Sequence, residues 1–327
     1  MLLRFVFAAL LAALSVAPAH ADAGPPQAGF ERTSTAAGVE VGIWYPATGE
    51  PVHQRLGLYA QDVVPGGDVP AGSYPLIVMS HGSGGDFSGH ADTAAALARA
   101  GYIVAALTHP GDNWRDKSRA TRVEDRPKAL GALITYMLAD WRGHKSIDPG
   151  RIGAFGFSAG GFTVLAAAGG RPELSRMAAH CAANPGFFDC RMVGAQPPAP
   201  ASAPAITWPE KGDARIKAIV VAAPALGFTF DRAGLAGVAV PVQLWRADAD
   251  RVLPAPFYAD AVRAALPVPP EFHDVAGAGH FDFLMPCADP KTVPQICESA
   301  PGFDRAAFHT RFNAEVVRFF GATLRGR

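Results

Sequence analysis

Continuously apolar runs recur along the chain, and segments of helical spacing separate them. Residues 75–80 (Pro-Leu-Ile-Val-Met-Ser), 102–107 and 216–222 have almost no polar position. Runs of this length without alternation suit strands buried on both faces. Residues 151–155, 240–245 and 271–275 read as further strands. Helical spacing falls between them, at 90–100, 129–141, 162–168 and 255–266, and again at the end, 305–324. In 129–141 the apolar positions are Leu130, Leu133, Ile134, Met137 and Leu138, which make one stripe of a helix. Buried strand followed by helix, repeated, predicts an α/β fold: a mostly parallel central sheet with helices on both faces.

Three regions depart from that rhythm. Residues 22–38 are rich in Pro, Gly and Ala and are expected to be irregular, so that 39–45 is the first strand, ended by Pro46. Residues 47–73 carry scattered Gly and Pro and leave room for one edge strand. Residues 171–214 hold a Pro/Ala run at 196–204 and read as an insertion or lid near the mouth of the site. No linker divides residues 22–327, which are read as a single domain.

The first 21 residues stand apart from the fold. Arg4 precedes an apolar core of about 12 residues, and Ala19-His20-Ala21 gives a small-x-small pattern. This predicts a secretory signal peptide cleaved after Ala21, and a secreted or periplasmic protein with no integral membrane segment after cleavage. Export bears on the four cysteines, which fall as two close pairs, Cys181 with Cys190 and Cys287 with Cys297. Neither pair has Cys-x-x-Cys spacing, so two local disulfides are expected in an oxidising compartment. Each would close a ring of about ten residues, worth roughly 2.7 kcal/mol in the chain-entropy model. The 29 basic and 29 acidic side chains cancel and form no long run of one sign. That argues against nucleic acid or an anionic membrane surface as the main partner.

The candidate chemistry begins at Gly156-Phe157-Ser158-Ala159-Gly160. A strand is expected before this Gly-x-Ser-x-Gly and a helix after it, the context of a nucleophile elbow. A serine hydroxyl needs a base within hydrogen-bond reach, and the base needs an acid to orient it. The expected chain order is Ser, acid, His. Of the histidines beyond the plausible acids, His273 lies in a strand and His309 in the last helix. His280 follows Gly277-Ala278-Gly279 just past a strand and is the favoured base. Asp250 and Asp248 both follow the strand at 240–245. Asp250 is preferred because Arg251-Val252-Leu253-Pro254 after it looks like an acid turn, and Asp248 stands as the alternative. Asp282 is read as a neighbour that shapes the histidine loop. For the oxyanion, the backbone N–H groups of Ala159 and of Ser83, in His81-Gly82-Ser83-Gly84-Gly85, are the expected donors. That loop has neither a phosphate-loop Gly-Lys-Ser/Thr nor Gly-x-Gly-x-x-Gly. The ten histidines show no His-Glu-x-x-His pattern. No metal site is therefore expected.

With these residues in view the chain resembles the α/β-hydrolase superfamily. Within it, the chain is similar to the platelet-activating-factor acetylhydrolase and dienelactone-hydrolase-like branch. The resemblance spans about 39–320. It rests on Ser80-His81-Gly82-Ser83-Gly84-Gly85, on residues 97–106, on Gly156-Phe157-Ser158-Ala159-Gly160-Gly161 and on residues 278–284. It implies hydrolysis of esters with short or oxidised acyl groups, without metal or organic cofactor. Ser158, Asp250 and His280 map onto its triad, and the Ser83 and Ala159 N–H groups onto its oxyanion hole. Two features depart from the branch: Ser158 stands where dienelactone hydrolases carry cysteine, and Thr108-His109-Pro110-Gly111-Asp112 follows the second buried strand.

The expectation is a secreted serine carboxylic-ester hydrolase acting on a small-molecule ester, short-chain or lipid-like. An acyltransferase or amidase would use the same triad, and a binding protein could keep the fold without catalysis. Phe157, Phe162, Trp114, Trp208, Phe228 and Phe281 are candidates for the substrate wall. The oligomeric state is open.

Overall fold

The computed structural model describes residues 26–195, 206–209 and 211–325. The 1–21 segment read as a signal peptide and the Pro/Ala run at 196–204 lie outside them. In chain order the strands begin with β1 (Gln27–Ser34), β2 (Glu40–Ala47), β3 (Val52–Leu56), β4 (Tyr59–Pro65) and β5 (Tyr74–Ser80). Then come α1 (Ala91–Arg99), β6 (Ile103–Leu107), α2 (Asp125–Ala139), β7 (Ile147–Phe157) and α3 (Ala159–Ala167). After α4 (Arg176–Ala183) and α5 (Phe188–Gly194) the sheet resumes with β8 (Ile216–Ala222) and β9 (Val242–Ala247). The chain ends with α6 (Ala259–Ala265), β10 (Glu271–Val275), α7 (Pro294–Cys297) and α8 (Arg305–Phe320).

The strands form one ten-stranded sheet in the order β10-β9-β8-β7-β5-β6-β2-β1-β4-β3. From β6 to β10 every neighbouring pair is parallel. Side chains alternate across the sheet and so feed two separate cores. Leu76 and Val78 point to the face covered by α2, α3 and α6, whereas Ile77 and Met79 point to the face covered by α1 and α8. The apolar runs are thus buried on both sides, as their lack of alternation predicts. This is the α/β-hydrolase fold. Its order reverses at β5, which β6 joins on one side and β7 on the other. A crevice opens at the carboxyl ends of strands where the order reverses. The loops after β5 and β7 meet there.

Several boundaries differ from the sequence reading. Residues 27–34 form a strand, where an irregular segment was expected. β1 pairs with β2 along its whole length, and Gly29 makes room for the Tyr45 ring, where a Cβ would come within 2.3 Å of it. The strand expected first is therefore second, and it continues through Pro46. β6 pairs with β2 only as far as Trp44, so Pro46 has a neighbour on one side and tolerates its missing N–H. Residues 47–73 supply two strands, a hairpin of β3 and β4, with β3 at the sheet edge. α2 starts one turn earlier than expected, at Asp125, with Pro127 in its first turn, where no intrahelical N–H is needed. α6 is shorter, since Pro254 and Pro256 precede it. α8 stops at Phe320 and passes into a π-helical turn, Gly321–Arg325.

Both expected disulfides are present, Cys181–Cys190 joining α4 to α5 and Cys287–Cys297 closing the loop that ends in α7. The described part of 171–214 docks beside the loop after β8. There His180 stacks on Phe228 at 3.6 Å between ring centres, and Tyr258 donates a hydrogen bond to Asp189. Among the described residues, no helix is long and apolar enough to cross a membrane.

Candidate active site

The turn from β7 into α3 places Ser158 at φ 55°, ψ −118°, a left-handed conformation costly for a residue with a Cβ. Two glycines make the turn possible. A Cβ on Gly156 would lie 2.0 Å from the Gly160 carbonyl oxygen, directly across the turn. A Cβ on Gly160 would lie 1.8 Å from the Ser80 carbonyl oxygen at the end of β5. The second glycine therefore lets the elbow press against the neighbouring strand.

Ser158 Oγ donates to His280 Nε2 at 3.0 Å, and His280 Nδ1 donates to Asp250 Oδ2 at 2.7 Å. The other Asp250 oxygen accepts the N–H groups of Val252 (2.8 Å) and Leu253 (2.7 Å), which is the acid turn expected from 250–254. Burial favours the neutral form of Asp250. The His280 charge, its hydrogen bond and the two N–H donors outweigh burial and hold the carboxyl below its ordinary range. Asp248 takes no part. Its side chain is half exposed, 3.9 Å from Arg246. Ser158, Asp250 and His280 follow the carboxyl ends of β7, β9 and β10.

The His280 loop is fixed from below. Asp282 accepts the Gly279 N–H at 2.7 Å and is paired with buried Arg305 at 3.0 Å, so it shapes the loop as expected. His309 lies under the loop. Its Nε2 donates to the Asp282 carbonyl at 3.0 Å and its Nδ1 donates to Asp92 at 2.6 Å. Burial opposes a charge on His309. The Asp92 charge and these hydrogen bonds win and raise its pKa.

The loop after β5 lies against Ser158: a Cβ on Gly82 would be 3.2 Å from Ser158 Cβ. Within it the Gly84 N–H is taken by Asp112 Oδ1 (3.0 Å) and the Gly85 N–H by the Gly82 carbonyl (3.1 Å). The N–H groups of Ser83 and Ala159 have no acceptor among the described residues. Behind them lies a polar network that the sequence reading missed. Arg126, fully buried, pairs with Asp112 and donates to the His81 carbonyl and to Thr163 Oγ1. His81 Nδ1 donates to the Gly82 carbonyl, His81 Nε2 accepts the His109 N–H, and Ser80 Oγ bonds His109 Nε2. Burial first, and the Arg126 charge second, push the His81 pKa down to about 3 and that of His109 well below its ordinary value. His81 is neutral, since its Nε2 accepts a backbone N–H. One signal was visible in the sequence: Arg126 lies one turn before Leu130 on the apolar stripe of α2.

A cleft of about 500 Å³ opens beside Ser83. Phe157, Phe281 and Trp114 line it, together with Leu56, Tyr59 and Ile296. The other three aromatic candidates lie elsewhere: Phe162 in the core against Trp208, and Phe228 under His180. The β3–β4 hairpin and the Cys287–Cys297 loop meet at the cleft rim, where the Ala288 N–H donates to the Leu58 carbonyl at 2.9 Å. Among the described residues, two groups of possible metal ligands lie outside this site. In one, Cys190 is spent in a disulfide, and in the other Glu271 is already bonded to Gln243, His273 and Arg318.

The architecture is the α/β-hydrolase fold, and two comparisons bear on it. The prolyl oligopeptidase family model matches residues 89–219, which include Ser158 and stop before Asp250 and His280. Among solved structures, a ferulic acid esterase from Streptomyces cinnamoneus superposes with a TM-score of 0.59 at 20% identity, over 95% of this chain and 93% of that one. Comparison with curated proteins gave no match.

Proposed function

We propose that the protein is a secreted serine hydrolase that cleaves carboxylic esters. The observation that carries this reading is the hydrogen-bonded chain Ser158–His280–Asp250, set beside two unspent backbone donors. Ser158 Oγ attacks the ester carbonyl carbon while His280 Nε2 takes its proton. The carbonyl oxygen becomes an oxyanion held by the Ser83 and Ala159 N–H groups. His280 then protonates the leaving alcohol, the acyl group remains on Ser158, and a water activated by His280 releases the acid. Asp250 keeps His280 in the tautomer that this sequence needs. The family and structural likenesses support the hydrolase reading.

The apolar cleft suits esters with short-chain or lipid-like groups, as in the acetylhydrolase and dienelactone-hydrolase-like branch. Residues 22–327 would act as one catalytic domain, with 171–214 as its insertion, and no cofactor enters the reaction. The match to a peptidase family gives a second reading, amide cleavage by the same triad. Matched p-nitrophenyl acetate and p-nitroanilide substrates decide between them. The ester is expected to turn over, and Ser158→Ala is expected to abolish that turnover. Equal hydrolysis by the variant would remove the proposal, and preferred anilide cleavage would replace it with the amidase.

A further inference from the structure

Arg126 is a cation at a position where α2 would ordinarily carry a leucine. It shares a stripe with Leu130, Ile134 and Met137, all buried, and is itself 3% exposed. Taking a guanidinium out of water is costly, and an apolar side chain of similar size would fill the space without that cost. What distinguishes arginine is its planar fork, which fixes several acceptors relative to one another. Here those acceptors are not scattered. Nη2 donates to the carbonyl of His81, two residues before Ser83. Nη1 pairs with Asp112 Oδ2, and Asp112 Oδ1 accepts the N–H of Gly84, the residue after Ser83. Nε donates to Thr163 Oγ1 at 3.0 Å, and Thr163 Oγ1 donates to the Ala159 carbonyl at 2.7 Å. One rigid group therefore grips the chain on both sides of Ser83 and, through one hydroxyl, the residue that follows the nucleophile.

The geometry points to Arg126 as a positioning residue that sets the spacing of the two oxyanion donors, the N–H groups of Ser83 and Ala159, acting through Asp112 and Thr163. This rests on the reading of Ser158 as the nucleophile. The donors come from different strands, β5 and β7. Strand pairing ends at Ser80–Gly156, short of both donors. Beyond that point the Arg126 fork couples the two loops. An oxyanion hole acts only if its donors are held where the oxygen will be, and they differ in value between ground and transition states. Arg126 should accordingly act on kcat more than on KM.

The test uses Arg126→Met, Arg126→Lys and Thr163→Val. The readouts are kcat and KM for p-nitrophenyl acetate, the affinity of a trifluoromethyl ketone that forms a tetrahedral adduct with the serine, and Tm. Arg126→Met is expected to lower kcat by about 100-fold with KM changed by less than about threefold, and to weaken the ketone by the same factor as kcat/KM. Arg126→Lys keeps the charge but not the fork, and should recover Tm more fully than kcat. Thr163→Val leaves the ion pair in place and should lower kcat by about tenfold with little change in Tm. A lowered Tm with unchanged kcat, or a lowered kcat with unchanged ketone affinity, overturns the proposal. If Arg126→Met does not fold, Thr163→Val decides: kcat equal to wild type overturns it. Residual activity in Ser158→Ala would instead overturn the nucleophile beneath it, so the two failures are distinct.

Discussion

Two aspartates separated by one residue have different fates in this protein. Asp250 turns inward onto His280 and two backbone N–H groups, whereas Asp248 faces solvent. Asp250→Asn keeps the shape but cannot hold His280 in the productive tautomer, and kcat should fall by about 10⁴-fold. Asp248→Asn should leave kcat within about twofold of wild type, because surface changes of this kind are near neutral. Steady-state kinetics on one chromogenic ester compares the two. That Ser158, His280 and Asp250 meet was legible in the sequence because each sits in a local pattern whose geometry is nearly self-contained: a glycine elbow, a glycine loop, an acid turn. Arg126 was not, since its partners come from three separate places: His81 from the loop after β5, Asp112 from the loop after β6 and Thr163 from α3. Only its position on an apolar helix stripe hinted at a role.

At the scale of elements, the buried strands were readable because burial on both faces removes alternation altogether. β1 was missed because its Pro/Gly/Ala-rich surroundings read as coil. What makes it a strand is the fit of Gly29 under the Tyr45 ring, supplied by β2. The Cys287–Cys297 loop follows the His280 loop, and its Val293 and Ile296 line the cleft. Replacing both cysteines with serine should cost roughly 2.7 kcal/mol of chain entropy and lower Tm. It should also raise KM for esters with large groups more than KM for an acetate, because it loosens one cleft wall and leaves the triad alone. Equal KM changes for both substrates would show that the loop does not contact substrate.

For the molecule as a whole, four buried imidazoles bear on the response to acid. His81, His90, His109 and His180 all have pKa values pushed down by burial, to about 3 for His81 and His90. A depressed pKa means that the folded state binds fewer protons than the unfolded chain. Stability is then full above the ordinary imidazole pKa and is lost as pH falls toward the folded values. Each such group can contribute about 1.4 kcal/mol per pH unit in that window. His309 has the opposite sign: its raised pKa stabilises below the ordinary value, and that gain is lost as pH rises through the folded one. Four depressed groups outweigh one raised group. The urea midpoint is therefore expected to fall steadily between pH 6.5 and 4, and a flat profile would contradict the buried neutral imidazoles. The bond between Ala288 and Leu58 bears on the molecule in another way. It joins the hairpin of β3, one edge strand, to the loop that follows β10, the other edge strand. Ser158, His280 and Asp250 rest on the middle of the sheet, whereas the cleft rim ties its two ends together through this bond, the Cys287–Cys297 disulfide and the packing of Leu56 and Tyr59 with Met285. A change at either edge strand is therefore felt at the mouth of the cleft before it is felt at the serine.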